Sequence, residues 1–144
     1  MGKPFSQSLF DRYDRAGRNA MFDYLADLGW DVEDNPDPYG VDLLCSANNR
    51  TLEVEVEVKV YWQDRFPFKT LHIPHRKLKF AKDNTIFAIL SGDLTRAALV
   101  SGRDVASAGL VEKFTSQTGD KQDLFLEIPL DRVEFVQIGE TLRH

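Results

Sequence analysis

The sequence predicts a mixed α/β fold of the α+β type, built on one mixed β-sheet, and three observations predict it. The N-terminal third carries apolar residues at the spacing of one helix face. An alternating run of valines and charged residues, TLEVEVEVKVYW at 51–62, is typical of a β-strand. Several short apolar runs separated by turn residues follow, as expected for further strands.

The composition indicates a globular intracellular protein. Of the 144 residues, 42% are hydrophobic, which excludes a disordered chain and provides the core of one domain spanning 1–144. The single cysteine, Cys45, excludes an intramolecular disulfide and a multi-cysteine zinc site. No apolar run approaches the ~20 residues of a membrane span. We therefore expect a reducing, cytoplasmic location without membrane contact.

The first predicted elements are a helix, a short strand and a loop. The helix begins near Ser8, which fits a capping signal, and Gly29 is placed to end it. Its apolar face consists of Phe10, Tyr13, Ala16, Ala20, Tyr24, Leu25 and Leu28. Residues 30–33 are predicted as a strand, and the prolines and glycine of 35–40 predict a loop.

A β-hairpin is predicted next. Residues 41–45 form its first strand, Asn48 and Asn49 supply the positive backbone dihedral angles of a tight turn, and 51–62 form its second strand. Apolar and charged side chains alternate along the second strand and therefore take opposite faces. The apolar face carries Leu52, Val54, Val56, Val58 and Val60, and the charged face carries Glu53, Glu55, Glu57 and Lys59.

The remaining elements are shorter. Residues 63–74 are predicted to be irregular and 74–81 to form a short helix. Two strands at 85–90 and 97–100 are joined by a turn at 91–93, and 102–114 is predicted as a second helix. A polar loop at 116–122 and strands at 124–128 and 133–138 complete the chain.

The charged face of the hairpin calls for an explanation, because glutamates two apart on a strand repel one another. The first strand adds Asp42 to this face rather than a lysine. With a two-residue turn at Asn48-Asn49, Asp42 lies opposite Glu55; with the loop shifted by one pair, it lies opposite Glu57. The face is either a solvent-exposed, glutamate-rich surface or a metal site, and spacing alone favours neither interpretation.

The metal interpretation has a definite chemistry. Two or three carboxylates are hard oxygen ligands that suit Mg²⁺ or Mn²⁺, which also bind waters and substrate phosphate. Such an ion lowers the pKa of its bound water and neutralises charge on the reacting phosphate. Lys59, next along the same face, would orient or deprotonate the attacking water and add positive charge near the phosphate.

These residues resemble the PD-(D/E)XK nuclease superfamily, which includes restriction endonucleases and archaeal Holliday-junction resolvases. Gly40-Val41-Asp42 matches the aspartate element of its signature, and Glu57-Val58-Lys59, fifteen positions on, matches the acid-x-lysine element. The order of the predicted elements is similar to the family's αβββαβ core. The resemblance implies a restriction endonuclease-like core at about 8–100 with a C-terminal strand and helix extension at about 101–144.

The resemblance also implies roles for the individual residues. Asp42 and Glu57 would bind Mg²⁺ or Mn²⁺ together with the main-chain carbonyl of Val58, and Lys59 would position the nucleophilic water. Glu55, thirteen positions from Asp42, is the alternative ligand. Many members of the family also have a glutamate on the first helix, where this chain has Met21.

A basic segment predicts the surface that faces nucleic acid. The chain has a net charge of −5, yet residues 65–82 contain six basic side chains and no acid. In the family this part of the chain often faces the phosphate backbone, which would give salt-sensitive affinity without sequence preference. The predicted contacts are Arg65, Lys69, Arg76, Lys77 and Lys79. Trp62, Phe66 and Phe68 lie among them and would either stack on bases or anchor the loop.

Three functions follow as hypotheses. The first is a metal-dependent endonuclease that hydrolyses phosphodiester bonds in DNA, possible as a homodimer because related nucleases often pair two active sites. The second is a non-catalytic nucleic-acid-binding or assembly module with the same fold. The third is an interaction protein whose glutamate face meets a basic partner.

Overall fold

The computed structural model describes residues 7–114 and 122–139. The first half of this range contains α1 (Gln7–Asp27), β1 (Asp31–Asp34), β2 (Leu43–Ala47), β3 (Arg50–Lys59), β4 (Thr70–Pro74) and a 3₁₀ helix (His75–Phe80). The second half contains β5 (Thr85–Ser91), β6 (Arg96–Ser101), α2 (Gly102–Ala106), β7 (Gly109–Phe114), β8 (Gln122–Pro129), a 3₁₀ turn (Leu130–Arg132) and β9 (Glu134–Gln137).

A six-stranded sheet in the order β1-β2-β3-β5-β6-β9 forms the centre of the molecule. Its first three strands are an antiparallel meander, β5 is parallel to β3, and β6 and β9 each run antiparallel to the strand before them in the sheet. The sheet is therefore mixed, and the predicted mixed α/β class is confirmed. A second sheet has the order β4-β8-β7 and is antiparallel.

One face of the central sheet packs against α1. Met21 and Leu25 of the helix pack in one cluster with apolar side chains of the sheet, including Cys45, which fills core space. Burial raises the pKa of the Cys45 thiol to about 11. The helix lies close to the sheet at Gly17, where a Cβ atom would lie 2.6 Å from Cγ2 of Val58.

The opposite face of the central sheet packs against the small sheet. Phe87 and Ile89 of β5 lie in one buried cluster with Leu71 of β4 and Leu126 of β8. Phe87 pairs with Glu55 in the parallel β3–β5 ladder, so the glutamates of β3 share this face with Phe87. The glutamate face therefore lies beside a core, between two layers of strands.

Two predicted elements were wrong. Residues 70–74 were expected to be irregular, but they form β4, because they pair with β8 along its whole length. The helix predicted at 102–114 is present only as Gly102–Ala106, which the Ser101 hydroxyl caps by accepting a hydrogen bond from the Asp104 N–H. Residues 109–114 form β7, because they pair with β8 on its other side.

The other predictions agree with the described residues. The N-terminal helix, the short strand after it, the hairpin and strands β5, β6, β8 and β9 lie where the sequence predicts them, except that the second hairpin strand ends at Lys59 and not at 62. The polar loop expected at 116–122 lies outside the described residues except for its last position. Within the described ranges no helix has both the length and the apolar character needed to cross a membrane.

Candidate active site

The turn of the β2–β3 hairpin sets the position of Asp42. Asn48 and Asn49 have φ angles of +47° and +67°, as a two-residue turn with left-handed residues requires. The strands pair Leu43 with Val54, so the next position back places Asp42 opposite Glu55. Of the two registers that the sequence allows, the structure has the first.

The loop before β2 orients Asp42. The Asn35 side chain accepts a hydrogen bond from the Asp37 N–H and donates one to the Val41 carbonyl, which holds the loop closed. The Asp42 carbonyl accepts a hydrogen bond from the Asn35 N–H. On the strand side, the Val56 N–H donates to Oδ2 of Asp42 over 2.8 Å, which directs the carboxylate toward β3.

Glu55 lies between Asp42 and a buried lysine. Its Oε2 atom is 3.2 Å from Nζ of Lys77, and the two side chains are only 10% and 9% exposed. Burial raises the pKa of Glu55 to about 7; the Lys77 charge opposes this shift and the Asp42 charge adds to it. When Glu55 is protonated, its carboxyl group shares a hydrogen bond with Asp42. Glu55 therefore exchanges a proton near neutral pH.

Lys77 departs from the prediction that it contacts nucleic acid at the surface. It comes from the 3₁₀ helix His75–Phe80 and points inward to Glu55. Its ammonium group therefore balances the charge of Glu55 inside the fold. The other four predicted basic contacts, Arg65, Lys69, Arg76 and Lys79, are exposed.

Glu57 is one step further along the same strand face. Because strand residues two apart are separated by about 6.6 Å, the site extends along β3 from Glu55 to Glu57. The Oε2 atom of Glu57 is buried, and it makes no hydrogen bond within the described structure. A buried carboxylate oxygen without a donor costs free energy, so this atom is available to a cation or a donor from a ligand.

Lys59 ends β3 and lies away from Asp42. Its Nζ atom is 5.8 Å from the ring centre of Phe68, and its charge lowers the pKa of Lys113 on β7. The structure therefore brings Asp42 together with Glu55, the alternative ligand. Glu57 lies one step beyond Glu55 on the same face of β3, and Lys59 lies two steps beyond it. Val58 lies between these two residues on β3, with its side chain against α1.

Asp42 and Glu55 are the carboxyl groups that could hold a divalent metal ion. No group of three or more Asp, Glu, His or Cys side chains within the described ranges is arranged to hold a metal ion. Asp42 and Glu55 supply two carboxyl groups in contact, and Mg²⁺ is commonly bound through one or two carboxylates plus waters and phosphate oxygens. The donor set fits an ion of this kind, with solvent and substrate as its remaining ligands.

The small sheet brings together three polar residues that are distant along the chain. Lys113 of β7 lies 3.0 Å from Nδ1 of His72 on β4, and Nε2 of His72 lies 3.0 Å from Glu127 on β8. The three residues come from three strands, and their meeting depends on the pairing of β4, β8 and β7. No spacing along the chain indicates it, and Lys113 lay in a predicted helix.

The aromatic residues of the 62–68 segment have different environments. Trp62 is fully buried and packs edge-to-face on Phe66, with ring centres 5.1 Å apart, so it anchors the loop in the core. Phe68 is 46% exposed and packs on Phe66. Of the three aromatic residues that the sequence marks for stacking, Phe68 offers the most open ring face.

No family model matches the chain, and no curated protein matches it.

Proposed function

We propose that the protein is an endonuclease that hydrolyses phosphodiester bonds in DNA with Mg²⁺ or Mn²⁺. The observation that carries this proposal is the contact between the carboxyl groups of Asp42 and Glu55 on neighbouring strands, with Lys77 against Glu55. Two carboxylates kept together in a buried place repel each other unless a proton or a cation lies between them. A divalent cation would remove that cost.

The order of the elements gives further support. Helix α1, the antiparallel strands β1, β2 and β3, and the parallel strand β5 follow one another in the order that the resemblance to PD-(D/E)XK nucleases implies. The crossover between β3 and β5 contains β4 and a 3₁₀ helix in place of a full α-helix. We propose on this basis that residues 8–100 contain the αβββαβ core.

Asp42 and Glu55 would hold the cation, and Glu57 lies one step further along the same strand face. When bound, a divalent cation supplies a water of lowered pKa and neutralises charge on the phosphate. The Val56 N–H keeps Asp42 in place for this task. Lys77 keeps one oxygen of Glu55 engaged and favours its ionised form, so the carboxylate is ready for the cation.

Proton binding and cation binding compete at this pair. Because the pKa of Glu55 is about 7, cation binding displaces a proton at and below neutral pH. The affinity for Mg²⁺ is therefore expected to rise as the pH increases from 6 to 8. Lys59 lies too far along the face to act on Glu55, so we assign its charge to the substrate phosphate.

The test is nicking of supercoiled plasmid by the purified protein with Mg²⁺ or Mn²⁺. We expect nicking that EDTA abolishes and that Asp42→Asn and Glu55→Gln each slow by about 100-fold or more. Glu53→Gln is the matched control. Glu53 lies on the same face of β3 but pairs with the exposed Lys82 at 3.5 Å, so its loss should change the rate by less than about twofold. Nicking that survives EDTA or Asp42→Asn would contradict the proposal.

A non-catalytic nucleic-acid-binding or assembly module is the second candidate, and one observation favours it. Lys77 already offsets the charge of Glu55 within the fold, which reduces the need for a metal ion at the carboxyl pair. This alternative predicts that the wild-type protein binds DNA without cutting it in either metal. It also predicts that Asp42→Asn leaves the binding unchanged.

A further inference from the structure

Three phenylalanine rings lie in contact at the surface, near the end of β3, and we call them the aromatic row. Phe68 packs on Phe66 with ring centres 5.5 Å apart, and Phe66 packs on Phe135 of β9 with ring centres 5.3 Å apart. Phe135 pairs with Ala98, which belongs to the core on the small-sheet side of the central sheet. The row therefore lies on the same side of this sheet as the glutamates of β3.

Trp62 supports the row from inside the fold. Its indole ring is buried and contacts both Phe66 and Phe135, with ring centres 5.1 and 5.9 Å apart. The indole N–H donates to the Asp64 carbonyl over 3.3 Å, and Nη1 of Arg96 donates to the same carbonyl over 2.7 Å. These contacts fix the loop and its rings in place without a ligand.

The two end rings of the row are open to solvent. Phe68 is 46% exposed and Phe135 is 45% exposed, while Phe66 between them is half-buried. Single exposed apolar side chains are common on proteins, but rings in contact with one another form a continuous apolar patch, which marks a binding surface. The patch is aromatic throughout, so it suits a ligand with flat aromatic groups.

Basic side chains surround the Phe68 end of the row. Nζ of Lys59 lies 5.8 Å from the ring centre of Phe68. Lys69 follows Phe68 in the chain and Arg65 lies at the start of the same loop, and both are exposed. The acid of this loop is Asp64, so three positive charges stand against one negative charge. An anionic group of a ligand is therefore favoured at this end.

The Phe135 end of the row carries little net charge. Arg96 holds the loop there, and Asp93 lies in the turn before it. Glu134 precedes Phe135, but it pairs with Leu99, which packs on the α1 side of the sheet, so alternation directs Glu134 away from the row. Contacts with rings, more than charges, would therefore supply the affinity at this end.

We propose that the aromatic row binds the unpaired bases of a single-stranded stretch of nucleic acid, with Lys59 on the phosphate next to the base on Phe68. A nucleotide joins a flat aromatic base to an anionic phosphate, as the row and Lys59 together require. In a duplex the bases stack on one another and present only their edges, so the rings find no base face. A second copy of the chain would bring like charges together at the Phe68 end.

This inference rests on the proposed function, because it takes the bound strand to be the substrate. Lys59 is four residues beyond Glu55 on the same strand face, which corresponds to about 13 Å along the strand. A nucleic-acid strand whose bases lie on the row can continue along β3 to the carboxyl groups of Asp42 and Glu55. The substrate class is then DNA with unpaired nucleotides beside the bond that is cut.

The experiment measures the binding of labelled oligonucleotides to the full chain by fluorescence anisotropy, with EDTA present. The probes are an oligothymidine of about twelve nucleotides, an abasic strand of the same length and charge, and a duplex of the same length. We expect the oligothymidine to bind at least about ten times more tightly than the abasic strand, because only its bases can stack on the rings. Equal affinity for the two strands would show that phosphates alone are recognised and would overturn the proposal.

Variants test the rings themselves. Phe68→Ala and Phe135→Ala should each raise the Kd for the oligothymidine about tenfold, and should change the Kd for the abasic strand and the duplex by less than about twofold. Phe68→Tyr should keep most of the affinity, whereas Phe68→Leu, which keeps an apolar side chain without a ring, should not. An equal loss for duplex and single strand would overturn the assignment to unpaired bases.

A control and a stability measurement accompany these variants. Leu28→Ala removes a 61% exposed apolar side chain that directly follows α1, on the other side of the central sheet, and should leave every Kd within about twofold. Phe68 and Phe135 are about half exposed, so their variants should fold, and thermal unfolding checks this. Unchanged oligothymidine binding in folded Phe68→Ala and Phe135→Ala would contradict the aromatic row.

Sedimentation of the wild type and of Phe68→Ala tests the other occupant. We expect both proteins to sediment as the same species. A wild-type dimer that Phe68→Ala dissociates, with unchanged affinity for the oligothymidine, would assign the row to a second copy and overturn the proposal. The binding assay involves no metal and no cleavage. Failure to nick plasmid, with ring-dependent oligothymidine binding intact, would therefore contradict the proposed function alone.

Discussion

At the scale of single residues, Glu55 has the most unusual environment in the described structure. Its carboxyl group is buried between the ammonium group of Lys77 and the carboxyl group of Asp42. Burial and Asp42 favour the neutral form, Lys77 favours the charged form, and the resulting pKa is about 7 against 4.5 for an exposed glutamate. The fold therefore binds a proton at Glu55 that the unfolded chain releases.

The difference between the pKa of Glu55 in the folded chain and in the unfolded chain predicts how stability changes with pH. Between pH 4.5 and 7 the folded chain keeps the Glu55 proton and the unfolded chain loses it. The contribution of Glu55 to the free energy of unfolding is therefore full below pH 4.5 and is lost as the pH rises to 7. Its slope is at most about 1.4 kcal/mol per pH unit. Urea unfolding at pH 5, 6 and 7 measures it.

The variant that tests this slope removes both buried charges. Glu55→Gln alone would leave Lys77 buried without a partner, and Lys77 would then titrate on its own. The double variant Glu55→Gln/Lys77→Met avoids this and should lose the part of the slope due to Glu55. Glu53→Gln, on the exposed end of the same strand face, should keep the wild-type slope. An unchanged slope in the double variant would assign the pH dependence to other groups.

The sequence predicts part of this site for a clear physical reason. Strict alternation along β3 places Glu55, Glu57 and Lys59 on one face, and Asp42 follows from the hairpin. Whether Asp42 lies opposite Glu55 or Glu57 depends on the register of the hairpin. The spacing of the residues leaves this register open, and the two-residue turn at the asparagines fixes it. The inward direction of Lys77 depends on how the 3₁₀ helix packs, which no local pattern of charges reveals.

At the scale of elements, the contact between α1 and β3 determines how closely the helix approaches the sheet. Gly17 faces Val58 and Val56 of the strand and Leu90 of β5, and it is buried. A glycine inside a helix costs up to about 1 kcal/mol relative to alanine. Here the small residue allows the helix to lie against the valine face of the strand that carries the site.

Gly17→Ala is predicted to destabilise the protein despite the better helix propensity of alanine. The new methyl group would lie 2.6 Å from Cγ2 of Val58, so the helix or the strand has to shift. Overpacking of this kind typically costs about 1–3 kcal/mol, more than the gain in propensity. Asn19→Ala, on the exposed side of the same helix, is the control and should be neutral or slightly stabilising. A more stable Gly17→Ala protein would show that the helix moves away without cost.

The elements that the sequence predicts well are those in which a periodic pattern of apolar residues repeats over many positions. Helix α1 repeats its apolar face over 21 residues and β3 alternates over 10, so local patterns identify both. By contrast, β4 and β7 are short, and each is a strand because it pairs with β8, more than fifty residues from β4. Ser101 does cap a helix, as a sequence pattern can indicate, but that helix ends after five residues. Non-local pairing decides the structure of that region.

At the scale of the whole molecule, some basic residues are exposed to solvent and others lie inside the fold. The chain is acidic overall, and the bases Arg65, Lys69, Arg76 and Lys79 are exposed. Lys77 belongs to the same run of sequence but lies inside the fold. The small sheet packs on the side of the central sheet to which the glutamates of β3 point. Charge counted along the sequence therefore differs from charge presented to a polyanion.

The last prediction compares Lys77 and Lys79, which lie two residues apart in the same 3₁₀ helix. Removal of an exposed lysine that contacts one phosphate of duplex DNA lowers the slope of log affinity against log salt concentration by about 0.9. Lys79→Gln is therefore expected to weaken binding to a labelled duplex and to reduce this slope between 50 and 200 mM salt. Fluorescence anisotropy measures both quantities.

Lys77→Gln should lower the stability of the protein and leave the salt slope of DNA binding unchanged. It leaves Glu55 without its partner, and breaking a buried ion pair from one side costs roughly 3 kcal/mol or more. The loss should be smaller at pH 5, where Glu55 is protonated and neutral. In the folded protein the salt slope should equal that of the wild type, because the buried ammonium group meets no phosphate. A reduced slope in Lys77→Gln, with unchanged stability, would place this lysine on the surface that binds DNA.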